Sequence, residues 1–257
     1  MTHTILSLVF GSVIGLALGL LGAGGSILTV PILVYILGMQ VQTATGTSLA
    51  IVGLNSAAGA ADYLRRGKSL PRTGIAFGVS GLAGALGGAW LNHFLAGSLI
   101  LLLFSLVMVA AAVSMLRRTS APQQDGSFSE AYSTSGWVKL AIVGIAIGFL
   151  TGFFGVGGGF LIVPALVLVV HLPMHLAVGT SLLAIALNAL WGLLGHLRYG
   201  GLDWTTTGLF VAGGLLGVFG GGYLSSRLPE KRLRQGFAGV IIAVAAYTFI
   251  QSAMTLA

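Results

Sequence analysis

Long apolar segments alternate with short polar connections along the chain, and this pattern predicts a bundle of membrane-spanning helices. Ten segments can be distinguished, at about 5–21, 25–38, 44–64, 73–95, 97–116, 138–154, 158–172, 175–197, 205–226 and 234–254. A full crossing needs about 20 apolar residues. The second segment of each half is shorter and contains Pro31 or Pro164. We expect it to stop partway, and both a re-entrant segment and a full crossing stay open.

The composition also indicates a membrane protein. Hydrophobic residues make up 56% of the chain and charged residues only 7%, and the mean hydropathy is +1.01. Soluble domains carry about 25% charged residues, so a soluble globular protein is excluded. We expect an all-α polytopic membrane protein without a soluble catalytic domain. The absence of cysteine removes thiolate ligands and cysteine nucleophiles, and we expect neither a cofactor nor a metal.

Much of the chain is written twice. Residues 11–91 recur at 144–224 without a gap, at a constant offset of 133, and 31 of the 81 aligned positions are identical. A repeat of this length is far longer than a solenoid unit. The sequence therefore predicts two transmembrane repeats of about five segments each, residues 1–116 and 138–257, joined by a cytoplasmic linker at 117–137.

Basic residues predict the orientation of the two repeats. With both termini outside, eleven of the twelve lie at cytoplasmic ends: Arg65, Arg66, Lys68, Arg72, Arg117, Arg118, Lys139, Arg227, Lys231, Arg232 and Arg234. Only Arg198 falls outside, which is a strong positive-inside bias. An odd number of crossings per repeat makes the repeats inverted. The net charge of +7 thus reflects topology, and no nucleic-acid partner is expected.

Two glycine-rich turns are the first candidate site. Gly22-Ala23-Gly24-Gly25 and Gly155-Val156-Gly157-Gly158 each separate two apolar segments. Each is expected to form a tight turn followed by a helix whose free N–H groups attract anions. Ordinary interhelical turns are the alternative, but the recurrence in both halves favours a function. The candidate ligands here are Gly22, Gly24, Gly25, Gly155, Gly157 and Gly158.

Small polar residues in the third segment of each half are the second candidate site. Thr47, Ser48 and Asn55 recur as Thr180, Ser181 and Asn188. Hydroxyls and amides can ligate an oxyanion without adding a charge that would trap it. The same residue types also cap helices and join them in membranes, and both interpretations stay open.

The positions of the ionisable residues restrict the class of solute that the protein can carry. All five acidic residues lie at segment ends or in loops, whereas a cation carrier is expected to place a carboxylate inside a span. An anionic or neutral solute fits better. Arg65, Arg198 and His196 stand at ends of the third segments as candidates for recruiting or gating an anion. Snorkelling arginines and a structural histidine are the alternatives.

The duplicated pattern G-x(3)-G-x(2)-G-x-G-G-x(5)-P, followed by G-T-S-L and then Asn, resembles the sulfite exporter TauE/SafE family of bacterial membrane proteins. The resemblance covers nearly the whole chain. It implies a multi-spanning inner-membrane carrier for small sulfur-containing anions, such as sulfite or an organosulfonate like sulfoacetate, usually working as an exporter. The candidate ligands that match the family pattern are the two glycine turns, the two Thr-Ser pairs and the two asparagines.

We therefore expect a secondary transporter, not an enzyme, that moves a small sulfur-containing oxyanion by alternating access of its two halves. A passive anion channel and a non-transporting membrane scaffold are the alternatives. The expected partners are the anion and the lipid bilayer. Glycine ladders at Gly11, Gly15 and Gly19 and at Gly213, Gly217 and Gly221 predict close helix packing, either within the chain or along the seam of a homodimer.

Overall fold

The computed structural model describes residues 2–22, 24–117, 134–154, 159–168, 170, 172–197, 201–225 and 227–256. The described part of the chain is helical throughout, apart from short turns. Its helices are α1 (Thr2–Leu21), α2 (Gly24–Pro31), α3 (Val41–Arg65), α4 (Pro71–Phe94), α5 (Gly97–Arg117), α6 (Thr134–Phe154), α7 (Gly159–Leu168), α8 (Met174–His196), α9 (Trp204–Ser225) and α10 (Glu230–Leu256). The predicted all-α polytopic fold is confirmed, and helices α1–α5 correspond to α6–α10 at the offset of 133.

Glycine and proline set the ends of the short second helix. Gly22 has a φ of +71°, a left-handed conformation that glycine adopts without strain, and α2 begins two residues later. Pro31 lacks an N–H and cannot continue the α-helical ladder, and the chain passes into a π-helical turn at Ile32–Ile36. Gly38, with a φ of +68°, ends the segment.

Helices differ in their ability to cross a membrane. Within the described residues, five are long and apolar enough: Thr4–Leu21, Pro71–Phe94, Trp137–Phe154, Met174–His196 and Trp204–Ser225. Helix α7 has 10 residues, which span about 15 Å, half of a hydrocarbon core of about 30 Å. Neither α7 nor α2 with its π-helical turn can therefore cross alone.

The two equivalent helices α3 and α8 pack against each other at the centre of the bundle. Three contacts follow the pair from end to end: Gly46 with His196, Gly53 with Ala189, and Gly59 with Leu182. Rising numbers on α3 meet falling numbers on α8, so these two helices are antiparallel. Repeats of the same orientation would place equivalent helices parallel. Inversion of the whole halves stays a prediction, and this packing supports it.

The first helix of each half packs against the other half. Helix α1 packs on α9, and α6 packs on α4, in both cases in the parallel sense. The α1–α9 contacts join Gly11 with Phe210, Gly15 with Gly214, and Gly19 with Val218; the α6–α4 contacts join Gly144 with Ser80, Gly148 with Gly81, and Gly152 with Ala85. Both glycine ladders therefore serve packing within the chain, and a homodimer stays a prediction.

Apolar side chains cover the outside of the bundle. Trp204, Phe94 and Leu216 are 72%, 64% and 76% exposed, which is a surface suited to lipid and not to water. The centre is different, because α3 and α8 bury hydroxyls and amides. In a membrane such polar side chains face the interior of the bundle, where they join helices or contact a solute. The polar interior of α3 and α8 is thus where a site is expected.

Candidate functional site

Asn55 and Asn188 stand out among the buried polar residues that the structure describes. Both side chains are 0% exposed, and neither their amide nitrogens nor their carbonyl oxygens have a hydrogen-bond partner among the described residues. A buried polar group without a partner costs about 1–3 kcal/mol. Such exceptions are rare in folded proteins. Their equivalent positions make these two amides the first candidates for contact with a ligand.

The two amides occupy two separate positions. Asn55 lies against Gly214 of α9, and Asn188 lies against Gly81 of α4. Asn55 therefore lies at the contact between α3 and α9, and Asn188 lies at the contact between α8 and α4.

Each of the two threonines connects the third helix of its own half to the start of the fourth helix of the other half. Thr180 Oγ1 accepts a hydrogen bond from the backbone N–H of Leu70 at 3.0 Å, and Thr47 Oγ1 accepts one from the N–H of Asp203 at 3.3 Å. Leu70 and Asp203 are themselves equivalent and directly precede α4 and α9. Each threonine thus satisfies an N–H that the start of a helix leaves without an intrahelical partner.

Asp203 caps α9, and its replacement by alanine should destabilise the protein. Its carboxylate accepts hydrogen bonds from the Thr206 hydroxyl at 2.6 Å and the Thr206 N–H at 3.0 Å, and these bonds hold its pKa below the ordinary value. We expect a loss of about 1 kcal/mol near neutral pH. A lowered folded-state pKa stabilises above the unfolded pKa of about 3.9, and this contribution is lost as the pH falls through the folded-state pKa.

Thermal unfolding in detergent at several pH values tests this expectation. The difference between the native protein and Asp203→Ala should shrink below about pH 4, and a difference that grows on acidification would contradict it. Leu70 occupies the equivalent place before α4 and has no capping side chain. Leu70→Ala is therefore the matched control, with no pH-dependent difference.

One serine connects the first glycine turn to the opposite half. Ser181 Oγ lies 3.1 Å from Gly22 O and 2.8 Å from Val178 O, so its single O–H is shared between two carbonyls. The equivalent Ser48 is fully buried, and its hydroxyl has no partner within the described ranges. Gly25 packs on α1, where an added methyl group would overlap Ile14 O. The structure thus brings Gly22 and Ser181 together, while Gly25 allows α2 to approach α1.

Several predicted residues lie outside the described residues: Gly155, Gly157, Gly158 and Arg198. Gly24 is the first residue of α2.

Arg65 is exposed at the end of α3, while the neighbouring Arg66 pairs with Asp62 at 2.8 Å. His196 is only 4% exposed and lies at the end of α8. Since α3 and α8 are antiparallel, Arg65 and His196 stand at opposite ends of the bundle.

Sequence reasoning missed the residues that enclose the asparagines. Gly81 and Gly214, on which the two amides lie, are themselves an identical pair at the offset of 133. That identity was the available signal. Asn92 was missed as well: it is 1% exposed, donates to Phe153 O at 2.7 Å, and recurs as a serine, so the repeat does not single it out.

Comparison with known proteins covers nearly the whole chain. A profile of the family described as Sulfite exporter TauE/SafE matches residues 7–248. A probable membrane transporter protein of Xylella fastidiosa is 37% identical over 94% of this chain and 93% of its own length. The corresponding values are 28%, 86% and 90% for the probable membrane transporter protein YdhB of Bacillus subtilis, and 27%, 75% and 72% for MJ0441 of Methanocaldococcus jannaschii. No solved structure matches the chain significantly.

Proposed function

We propose a solute and a mechanism for this protein from one premise: the chain belongs to the sulfite exporter TauE/SafE family. It is a multi-pass membrane protein of a transporter family. The proposed solute is a small sulfur-containing oxyanion, either sulfite or an organosulfonate such as sulfoacetate. The proposed mechanism is secondary transport by alternating access of the two halves.

The observation that carries this proposal is the pair of buried amides without partners, Asn55 and Asn188. An amide offers two N–H donors and no charge. It can hold an oxyanion in a site closed to water and still release it. In the structure the amides lie against Gly214 and Gly81. We propose that the anion contacts them when the neighbouring helices move apart.

Two further features support an anion at this depth. The short helices α2 and α7 touch each other inside the bundle, and helix N-termini attract negative charge through free N–H groups and the helix dipole. Broken or short helices of this kind hold the solute in many secondary transporters. Ser48 adds a buried hydroxyl without a partner in the described part of the chain.

The arrangement of the two amides supports alternation. One lies between α3 and α9, and the other lies between α8 and α4. If the central helices α3 and α8 move relative to the α1–α9 and α6–α4 pairs, the packing around one amide loosens while the packing around the other tightens. We propose that the anion enters at one amide and leaves at the other. Arg65, and Arg198 by its equivalent position, are proposed to attract it at opposite mouths.

Export and orientation belong to the same proposal. An anion that leaves a negative interior gains about 2.3 kcal/mol per charge per 100 mV, so the membrane potential can drive export. We propose location in the inner membrane with both termini outside and the 117–137 linker inside. The chain has no cysteine, so a cysteine introduced into this linker is a clean reporter. An impermeant maleimide should label it in inverted vesicles and not in intact cells.

Counterflow in liposomes tests the proposed function. Reconstituted protein should take up labelled sulfite faster when the vesicles are preloaded with unlabelled sulfite, because only a carrier shows this acceleration. Sulfate, thiosulfate and sulfoacetate should be compared as competitors. Uptake that preloading does not accelerate would indicate the channel, and no uptake of any of these anions would leave the scaffold as the better explanation.

A further inference from the structure

His196 is a buried histidine whose two ring nitrogens both face oxygen acceptors. The ring is part of a side chain that is only 4% exposed. Nδ1 lies 3.1 Å from Gly192 O one turn earlier in α8, and Nε2 lies 3.4 Å from the side-chain oxygen of Asn92 on α4. The second distance is longer than a good hydrogen bond. The ring therefore stands between two acceptors, one close and one slightly out of reach.

The orientation of Asn92 is fixed by a third helix. Its amide nitrogen donates to Phe153 O of α6 at 2.7 Å. Turning the amide over would place two oxygens against each other at that distance. Asn92 Oδ1 must therefore point to His196, and His196, Asn92 and Phe153 form one connection between α8, α4 and α6.

A neutral imidazole can donate to only one of these two acceptors. It carries one N–H and one lone pair, so in either tautomer of His196 one ring nitrogen presents its lone pair to an oxygen. A doubly protonated ring donates to Gly192 O and Asn92 Oδ1 at once. Charge-assisted hydrogen bonds of this type are shorter and stronger than neutral ones. Protonation should therefore tighten the contact between α8 and α4.

The equivalent position at the other end of the bundle holds Tyr63. Its hydroxyl donates to Gly19 O of α1 at 2.9 Å and lies near Ser225 of α9, the equivalent of Asn92. The same three-helix connection thus exists at both ends. A phenol donates without titrating near neutral pH, because its ordinary pKa is about 10. The Tyr63 contact therefore keeps its donor across the physiological range, whereas a histidine can gain or lose a proton there.

We propose that His196 and Asn92 form a proton-binding clamp, which closes the His196 end of the bundle when the ring is doubly protonated and lets this end open when the ring is neutral. The Tyr63 end carries a clamp that is insensitive to protons. The coupling of this proton to solute movement rests on the proposed transport function, whereas the clamp itself does not.

The surroundings of His196 contain few other titratable groups. Within the described residues, His93 is exposed on α4 next to Asn92, and Asp203 before α9 binds Thr206 with both carboxylate oxygens. The beginning of α3 and the end of α6, which pack at this end, carry no titratable side chain. Arg198 follows His196 by two residues and lies outside the described residues.

A single introduced cysteine can report the opening of this end. Gly46 of α3 lies beside His196, and a Cβ added to it would have no neighbour closer than 3.6 Å. Gly46→Cys in nanodiscs should therefore fold and bury its thiol. The labelling rate with an impermeant maleimide is measured from pH 5 to 8.5, without any solute, in this background and in the same background with His196→Gln. The ratio of the two rates at each pH cancels the effect that the intrinsic ionisation of the thiol has on the labelling rate.

We expect this ratio to change about tenfold across one titration, a change that corresponds to about one charge-assisted hydrogen bond. Labelling relative to His196→Gln should be slowest at low pH. His93→Gln should keep the transition. Substitution by tyrosine, His196→Tyr, which copies the other end, should remove it. A ratio that stays flat in protein with an unchanged thermal melting temperature would overturn the clamp.

The flux measurement separates the clamp from the proposed transport. In proteoliposomes a pH gradient should accelerate net sulfite flux through the native protein and not through His196→Gln. If no anion is transported but the maleimide ratio titrates, the proposed function fails and the clamp stands. If counterflow occurs and the ratio is flat, the clamp fails and the transporter stands.

Discussion

Replacing Gly15 by leucine is expected to prevent the bundle from forming. A single methyl group added to Gly15 would overlap the backbone of Gly214, so no side chain can yield to make room. Overpacking a core costs about 1–3 kcal/mol where side chains can adjust, and here two helices must separate. The loss should exceed that range and consume much of a total stability of about 5–15 kcal/mol. Size-exclusion chromatography in detergent should show aggregate in place of the native peak.

Gly220 provides the matched control for this substitution. It lies on α9, the helix against which Gly15 packs, and an added Cβ there meets no atom of the described structure within 4 Å. Gly220→Leu should therefore elute and melt like the native protein. Normal behaviour of Gly15→Leu would show that α1 and α9 do not pack as closely as described.

Replacing Asn55 by leucine is expected to stabilise the protein while it abolishes anion binding. Leucine has nearly the shape of asparagine and removes an amide that has no partner within the described structure. Loss of such a group should raise the free energy of unfolding by about 1–3 kcal/mol, measured by thermal or denaturant unfolding without solute. Asn188→Leu should behave in the same way, and both should fail in sulfite counterflow.

Asn92 is the matched control, because it is the same residue type at the same depth. Its side chain is 1% exposed and bridges Phe153 O and His196. Asn92→Leu should therefore destabilise the protein by leaving these groups unsatisfied. A destabilising effect of Asn55→Leu similar to that of Asn92→Leu would mean that Asn55 has a structural partner, and would remove it from the proposed site.

Hydrophobic pattern and repeat predicted most of the helices. Their bounds agree with the ten predicted segments to within a few residues, because apolar length and turn glycines determine both. The π-helical turn after Pro31 was not predicted, since a proline inside an apolar segment does not tell whether the helix stops or widens. The crossing of α1 to α9 in the other half was not predicted either. Small residues predict a close helix contact, but they do not show which helix is the partner.

The candidate site was predicted in its residue types and not in its arrangement. The repeat selected Asn55 and Asn188, which the structure shows buried without partners among the described residues. It also selected Thr47 and Thr180, whose hydroxyls bind the starts of α9 and α4. Threonine at such a position looks the same in sequence whether it binds backbone or solute. The ligand roles of both sets stay predictions, and the structure separates the amides into two positions.

The central claim is that the amides of Asn55 and Asn188 bind the transported oxyanion, and anion-dependent thermal stabilisation tests it most directly. Binding to the folded state raises the unfolding free energy by about 2.7 kcal/mol at a concentration 100 times the dissociation constant. Sulfite and sulfoacetate should raise the melting temperature of the native protein and of Asn92→Leu. They should have no effect on Asn55→Leu combined with Asn188→Leu. An equal rise in the doubly substituted protein would contradict the account.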